Sequence, residues 1–269
     1  MASALTVFPV SDIPEVMPGH NIASLIVSGL RGQGYLLKAH DVLVITQKIV
    51  SKSQNRFVRL ANVIPSERAI SIGREIAKDP RLVEVILSES TEIIAKKKGV
   101  IITRHLSGVI MANAGVDMSN LPGQEKDNPV VLKLPLNPDL AACQIRREIL
   151  EKTGVDLGVI INDSAGRPWR NGVSSLAIGA SGIPSLQNLI GTKDLFGRRL
   201  EVTQVALADL ISNAASLVMG EGSEGIPVVL IRGLVWSQPS LPASSLQRPF
   251  EDDLFIHPIE QRDYVGHMS

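Results

Sequence analysis

The chain has 269 residues, with 27 Lys and Arg against 27 Asp and Glu. That balance excludes a protein held to nucleic acid by a broad basic face, and at 3% aromatic residues a base-stacking platform is excluded as well. No apolar run reaches the roughly 18 residues of a membrane span, and no basic stretch precedes the apolar N-terminus, so neither a membrane anchor nor a signal peptide is expected.

In chain order, Leu5 to Val10 reads as a strand, and Asn21 to Leu30 as a helix capped by His20 or Asn21. Asp41 to Thr46 is a β-branched run and reads as a buried strand. Ser66 caps a helix running toward Lys78; Pro80 breaks it, and a second helix follows from Arg81 to Ser88. Val100 to Thr103 is a strand, and residues 118 to 129 read as a loop rich in Gly, Pro, Asn and Asp. Pro138-Asp139 starts a helix that Gly154 ends. Within it Cys143, the one cysteine, reads as a core or near-core thiol, and a chain with no possible internal disulfide fits the cytoplasm.

Val155 to Ile161 is a further buried strand, followed by a loop over 163 to 174. Leu200 to Met219 has helical spacing, with Gly220 as its closing glycine, and Ile226 to Ile231 is the last buried strand. From Ser237 the chain reads as a loosely structured tail, up to Asp252-Asp253-Leu254-Phe255.

Gly220-Glu221-Gly222-Ser223-Glu224-Gly225 spells G-x-G-x-x-G, but a helix precedes it and a strand follows. A dinucleotide fold needs the opposite order, so that reading is rejected. There is no P-loop and no H-E-x-x-H, and His105, the histidine beside the informative segments, reads as structural.

Three segments place a polar cluster at the end of an apolar element. They are Asn113-Ala-Gly-Val-Asp117-Met-Ser-Asn120, Asn162-Asp163-Ser164-Ala-Gly166-Arg167, and the glycine loop with Glu221 and Glu224. Carboxylate and hydroxyl oxygens suit Mg²⁺ or Mn²⁺, and glycine lets backbone N–H groups approach phosphate. Arg167 and Arg170 stand near Asp163 as anion-neutralising cations, and Lys48 and Lys52 follow a strand end. Each cluster, taken alone, is also ordinary turn chemistry. The residues alone therefore reach a divalent-metal phosphate site in a protein of mixed helix and strand.

The same segments resemble the coenzyme F420-0:L-glutamate ligase family. The resemblance runs from Val7 to Gly233 and is carried by Phe8-Pro-Val10, Asp41 to Lys52, Pro65-Ser-Glu-Arg68, Asn113 to Asn120, Pro138-Asp139, Asp163 to Arg170, Ala177-Ile-Gly179, Gly191 to Arg198, and Met219-Gly-Glu-Gly222 with Gly225-Ile-Pro227.

It implies an α+β fold with mixed sheets, flanking helices and two lobes around a nucleotide cleft. Residues 1–235 would form the ligase domain and 236–269 a C-terminal tail, with no fused nitroreductase-like domain. Asp117 and Asp163 would hold one divalent metal, and Ser164 and Glu221 a second, as Mg²⁺ or Mn²⁺, with K⁺ as a further cation. GTP would lie against Ile13, Pro14, Glu15, Val16, Gln47, Lys48, Lys52 and Asn120. The loop of Met219, Gly220, Glu221, Gly222, Ser223, Glu224, Gly225 and Ile226 would complete that pocket.

Asp117, Asp163, Lys52 and Arg167 would carry the chemistry. GTP would phosphorylate a carboxylate of coenzyme F420-0, and the amine of L-glutamate would displace the phosphate, in a cytoplasmic homodimer. The chain departs from the family at Ser164, where Thr is common, and at Ala165, where a bulkier residue is common. Ser53-Gln-Asn-Arg56 replaces a segment with an acid, and Ala141 stands where Ser is common. These departures leave open a ligase of the same chemistry with another carboxylate acceptor, or a GTP-binding module without turnover.

Overall fold

The computed structural model describes residues 4–121 and 128–253. Its elements in chain order begin β1 (Thr6–Pro9), α1 (Ile22–Gly32), β2 (Val42–Thr46), α2 (Gln47–Ser53), β3 (Phe57–Arg59), α3 (Glu67–Ile76) and α4 (Pro80–Ser88). They continue with β4 (Ser90–Lys97), β5 (Val100–His105), β6 (Ile110–Ala112), β7 (Val130–Leu132), α5 (Pro138–Thr153), β8 (Gly158–Arg167) and β9 (Arg170–Ser181). The last are β10 (Leu186–Asn188), β11 (Gln204–Ala206), α6 (Leu207–Met219) and β12 (Val228–Arg232). The fold is α+β with mixed sheets, as expected.

The central sheet has the order β1-β12-β2-β8-β9, parallel only between β2 and β8. Its inner strands are apolar throughout because both faces are covered. Leu43, Ile45, Val159, Ile161, Val228 and Leu230 face α1, α2 and α5. The alternating Val42, Val44, Ile160, Val229 and Ile231 face α6. A third apolar cluster joins α3, α4, β5 and β7 around Ile76, Ile86, Ile101 and Val131.

Helix starts follow their caps. Asn21 accepts from the Ser24 N–H, Ser66 from Ala69, and Asn137 from Leu140. Asp79 caps α4 with Pro80 at its first position, and Gly154 ends α5 in the left-handed conformation.

Four expectations are corrected. Cys143 is exposed: α5 buries Ala141, Ala142, Ile145 and Ile149, and position 143 lies off that stripe. The loop expected over 163–174 is mostly the β8–β9 hairpin, and only the turn around Pro168-Trp169 breaks the ladder. The helix expected from Leu200 begins at Leu207, because Gln204–Ala206 pair with Leu186–Asn188 as strands. The tail is docked as far as it is described, with Leu241 N–H on the Ile183 carbonyl and Ala243 buried. Residues 122–127 of the expected loop over 118–129, and Leu254-Phe255, lie outside the described residues.

Candidate active site

Strand polarity assembles the site. Because β2 and β8 are parallel, Thr46 and Asn162 lie side by side, and the residues after them emerge together at one edge of the sheet. The antiparallel β12 enters at that edge, with Thr46 N–H on the Pro227 carbonyl, and β1 leaves there, with Val10 N–H on the Val228 carbonyl. Loop 11–16, helix α2, the Asp163 segment and loop 219–227 therefore meet at the carboxyl ends of the parallel strands, where open sheets bind ligands. They enclose a cavity of about 780 Å³, which residues 111–120 complete.

Asp117 reaches the cavity from a tight turn. Asn113, Ala114 and Gly115 are consecutive left-handed residues with φ of 54°, 52° and 69°. Gly115 has no substitute, since a Cβ there would lie 2.6 Å from the Leu134 side chain. The Asp117 carboxylate accepts N–H bonds from Met118 (2.6 Å) and Ser119 (2.8 Å) and pairs with the Lys48 ammonium at 2.6 Å. Loss of hydration alone would raise its pKa, but the Lys48 and Ser119 bonds outweigh this and hold it below the ordinary value.

Strand alternation distributes the next two ligand candidates. Asp163 takes the face of α2, near Lys48 and Asp117, while Ser164 takes the face of α6. Ser164 Oγ donates to Glu221, 2.8 Å from Oε1 and 2.7 Å from Oε2. Burial pushes Asp163 up to about 7; the charges of Asp117 and Glu221 push the same way, while the Ser164 N–H and Lys48 oppose them. Glu221 follows Gly220, whose φ is 70° and whose place would put a Cβ 2.1 Å from the Glu224 carboxyl carbon. The loop is closed by the Gly222 N–H on Glu224 and by Asn120 Nδ2 on the Gly222 carbonyl.

At the mouth, Lys52 is almost fully buried and ties two segments together, through Glu15 Oε1 at 2.7 Å and the Asn120 carbonyl at 3.2 Å. Ile13, Pro14, Glu15, Val16, Lys48, Lys52, Asp117, Asn120, Asp163, Ser164 and the whole run from Met219 to Ile226 line the cavity. Gln47 does not: it is buried and accepts from Ser51 Oγ. Arg167 also stands outside, at the hairpin tip, donating to the Gly172 carbonyl. Residues the sequence did not single out also line it, among them Met111, Val116, Ser175 and Ser216. They sit inside strands and helices, where no composition signal marks them.

The donor set fits hard divalent cations. Among the described residues no three His, Cys, Asp or Glu side chains form one ligand cluster. Mg²⁺ does not need one, because it binds through one or two carboxylates and completes its shell with water and phosphate. The mutual repulsion of Asp117, Asp163 and Glu221 is what a bound cation would remove.

The F420-0:gamma-glutamyl ligase family model matches residues 11–233. The chain belongs to that family. It is 41% identical to the coenzyme F420:L-glutamate ligase of Methanothermobacter thermautotrophicus, over 93% of this chain and 98% of that protein. It is 44% identical to the ligase of the same name from Methanopyrus kandleri, over 86% of this chain and 87% of that one. The enzyme of Methanocaldococcus jannaschii is also 44% identical, over 82% and 86%. Membership of the F420-0:gamma-glutamyl ligase family places the chain among ligases.

Proposed function

We propose that this ligase forms a γ-glutamyl amide bond between L-glutamate and coenzyme F420-0, and draws on GTP to do so. The observation that carries the reading is the convergence of Asp117, Asp163, Ser164 and Glu221 on one cavity. A carboxylate is a poor acyl donor, so it must first be activated. The γ-phosphoryl group of GTP passes to the carboxylate oxygen, giving an acyl phosphate and GDP. The glutamate amine then attacks the acyl carbon, and phosphate leaves with the bonding pair.

All three reactants are anions, so the site must neutralise charge and align the groups. Asp117 with Asp163, and Ser164 with Glu221, are the ligand pairs for two Mg²⁺ or Mn²⁺ ions, which would supply that neutralisation when bound. Lys48 and Lys52 add positive charge on the α2 side, and the loop from Gly220 to Gly225 lines the same cavity, where glycine lets the backbone come close to phosphate. The α6 side and the third apolar cluster are read as two lobes closing on the nucleotide. The working unit is read as a cytoplasmic homodimer, in keeping with the exposed Leu195, Phe196 and Leu217 and the lone thiol.

The deciding experiment is mass spectrometry of purified protein with coenzyme F420-0, GTP, glutamate and Mn²⁺. Addition of one glutamate with equimolar GDP and phosphate is expected. Product only with another carboxylate would replace the acceptor, and GTP binding without product would make the chain a binding module.

A further inference from the structure

Ser164 and Glu221 come from different elements, a strand and the loop after a helix. Their 2.7 Å contact depends on how α6 sits along the β8–β9 hairpin. Apolar packing alone permits sliding of such a helix, whereas directional hydrogen bonds fix its register. The face of α6 against the hairpin carries one such set.

Asn213 lies in the middle of α6, where asparagine is a poor helix former. Its side chain is fully used in another way. Oδ1 accepts from Ser174 Oγ at 2.7 Å and from the Ser175 N–H at 3.1 Å. Nδ2 donates to the Ser175 carbonyl at 2.8 Å and to the Asp209 carbonyl at 2.7 Å. The network then crosses the hairpin: Ser175 Oγ, on β9, accepts from Asn162 Nδ2, on β8, at 2.7 Å. Asn162 precedes Asp163, and the same Nδ2 lies 3.6 Å from the sulfur of Met219, two residues before Glu221. Asn162 is 4% exposed and Ser175 2%, so water does not compete for these bonds.

We infer that Asn213 is a positioning residue: through Ser175 and Asn162 it sets the spacing between the Ser164 and Glu221 oxygens. This rests on the two-cation reading of the site. Groups that hold ligand-bearing residues without touching the ion change metal affinity by about 10- to 100-fold when removed.

The test is Mn²⁺ binding, followed by electron paramagnetic resonance of the free ion, with no nucleotide present. Asn213→Ala is expected to weaken Mn²⁺ binding by at least about 10-fold at a temperature where circular dichroism shows it folded. Asn137→Ala is the stability control. It removes the α5 cap, lowers the melting temperature and leaves Mn²⁺ affinity unchanged. Should Asn213→Ala fail to fold, Ser175→Ala removes the oxygen that Asn162 uses, and the same direction of change is expected.

Folded Asn213→Ala or Ser175→Ala with wild-type affinity overturns the inference alone. So does an equal loss in Asn137→Ala, which would make the effect one of general stability. Absence of Mn²⁺ binding by the wild-type chain would instead remove the two-cation reading, and the inference with it.

Discussion

Burial, and then the charges of Asp117 and Glu221, raise the proton affinity of the Asp163 carboxylate. Asparagine at this position keeps the shape and removes the charge. Asp163→Asn is expected to abolish turnover, with the melting temperature unchanged or slightly raised because the repulsion is gone. GDP release and thermal melting check both; full activity in the variant would take Asp163 out of the site.

Glu89 presents the opposite balance. Burial would raise its pKa, but the His105 ring, Lys133 at 2.7 Å and Arg56 at 2.6 Å bring it down from 4.5 to about 2. A depressed folded pKa stabilises the protein above the unfolded value and loses that contribution as pH falls toward the folded one. Between pH 4.5 and about 2 the fold should therefore lose about 3 kcal/mol from this group. In Glu89→Gln that segment of the stability–pH curve should flatten, as read by urea unfolding at several pH values.

Among the elements, those with a mechanism written into their ends were legible. Ser66 before α3 and Gly154 after α5 each satisfy backbone groups that the sequence alone identifies, whereas the Asp79 cap of α4 came from the structure. The three-residue strands outside the central sheet were not legible. β10 and β11 are three residues each and acquire their conformation only from each other, so the spacing of Val202, Val205 and Ala206 read as helix.

Two of the motif segments prove to be about docking. Gly179 has no room for a Cβ, which would lie 2.4 Å from the Pro138 carbonyl group. Asp139 Oδ1 accepts N–H bonds at 2.8 Å from both Ala180 and Ala243. That carboxylate fastens the tail to the sheet. Asp139→Ala leaves buried N–H groups unpaired and should cost about 2–4 kcal/mol. It should also expose the 237–247 segment to proteolysis well before the rest of the chain unfolds; cleavage no faster than wild type would show that the tail is held by its apolar contacts instead.

Over the whole molecule, the polar clusters at Asp117, Asp163 and Glu221 were visible in the residues only as isolated turns, and it was the family resemblance that implied their meeting. Their meeting requires that β2 and β8 be parallel neighbours and that β12 enter between β1 and β2, an order no local pattern encodes. The molecule's capacity for association depends on its exposed apolar area. Leu195 is 99% exposed and Phe196 96%, at the tip of the segment between β10 and β11, and Leu217 on α6 is 88% exposed.

Adjacent large apolar side chains fully in water mark contact surfaces in soluble proteins. A second copy of the chain is the proposed occupant. Phe196→Glu, paired with Leu195→Glu, should convert a dimer to a monomer by sedimentation equilibrium, because a closed two-fold interface receives each change twice. The cavity residues are untouched by these substitutions, so Mn²⁺ affinity should stay within about twofold of wild type, a shift of well under 1 kcal/mol. A dimer that survives both changes would place the interface elsewhere, and a wild-type monomer would remove it.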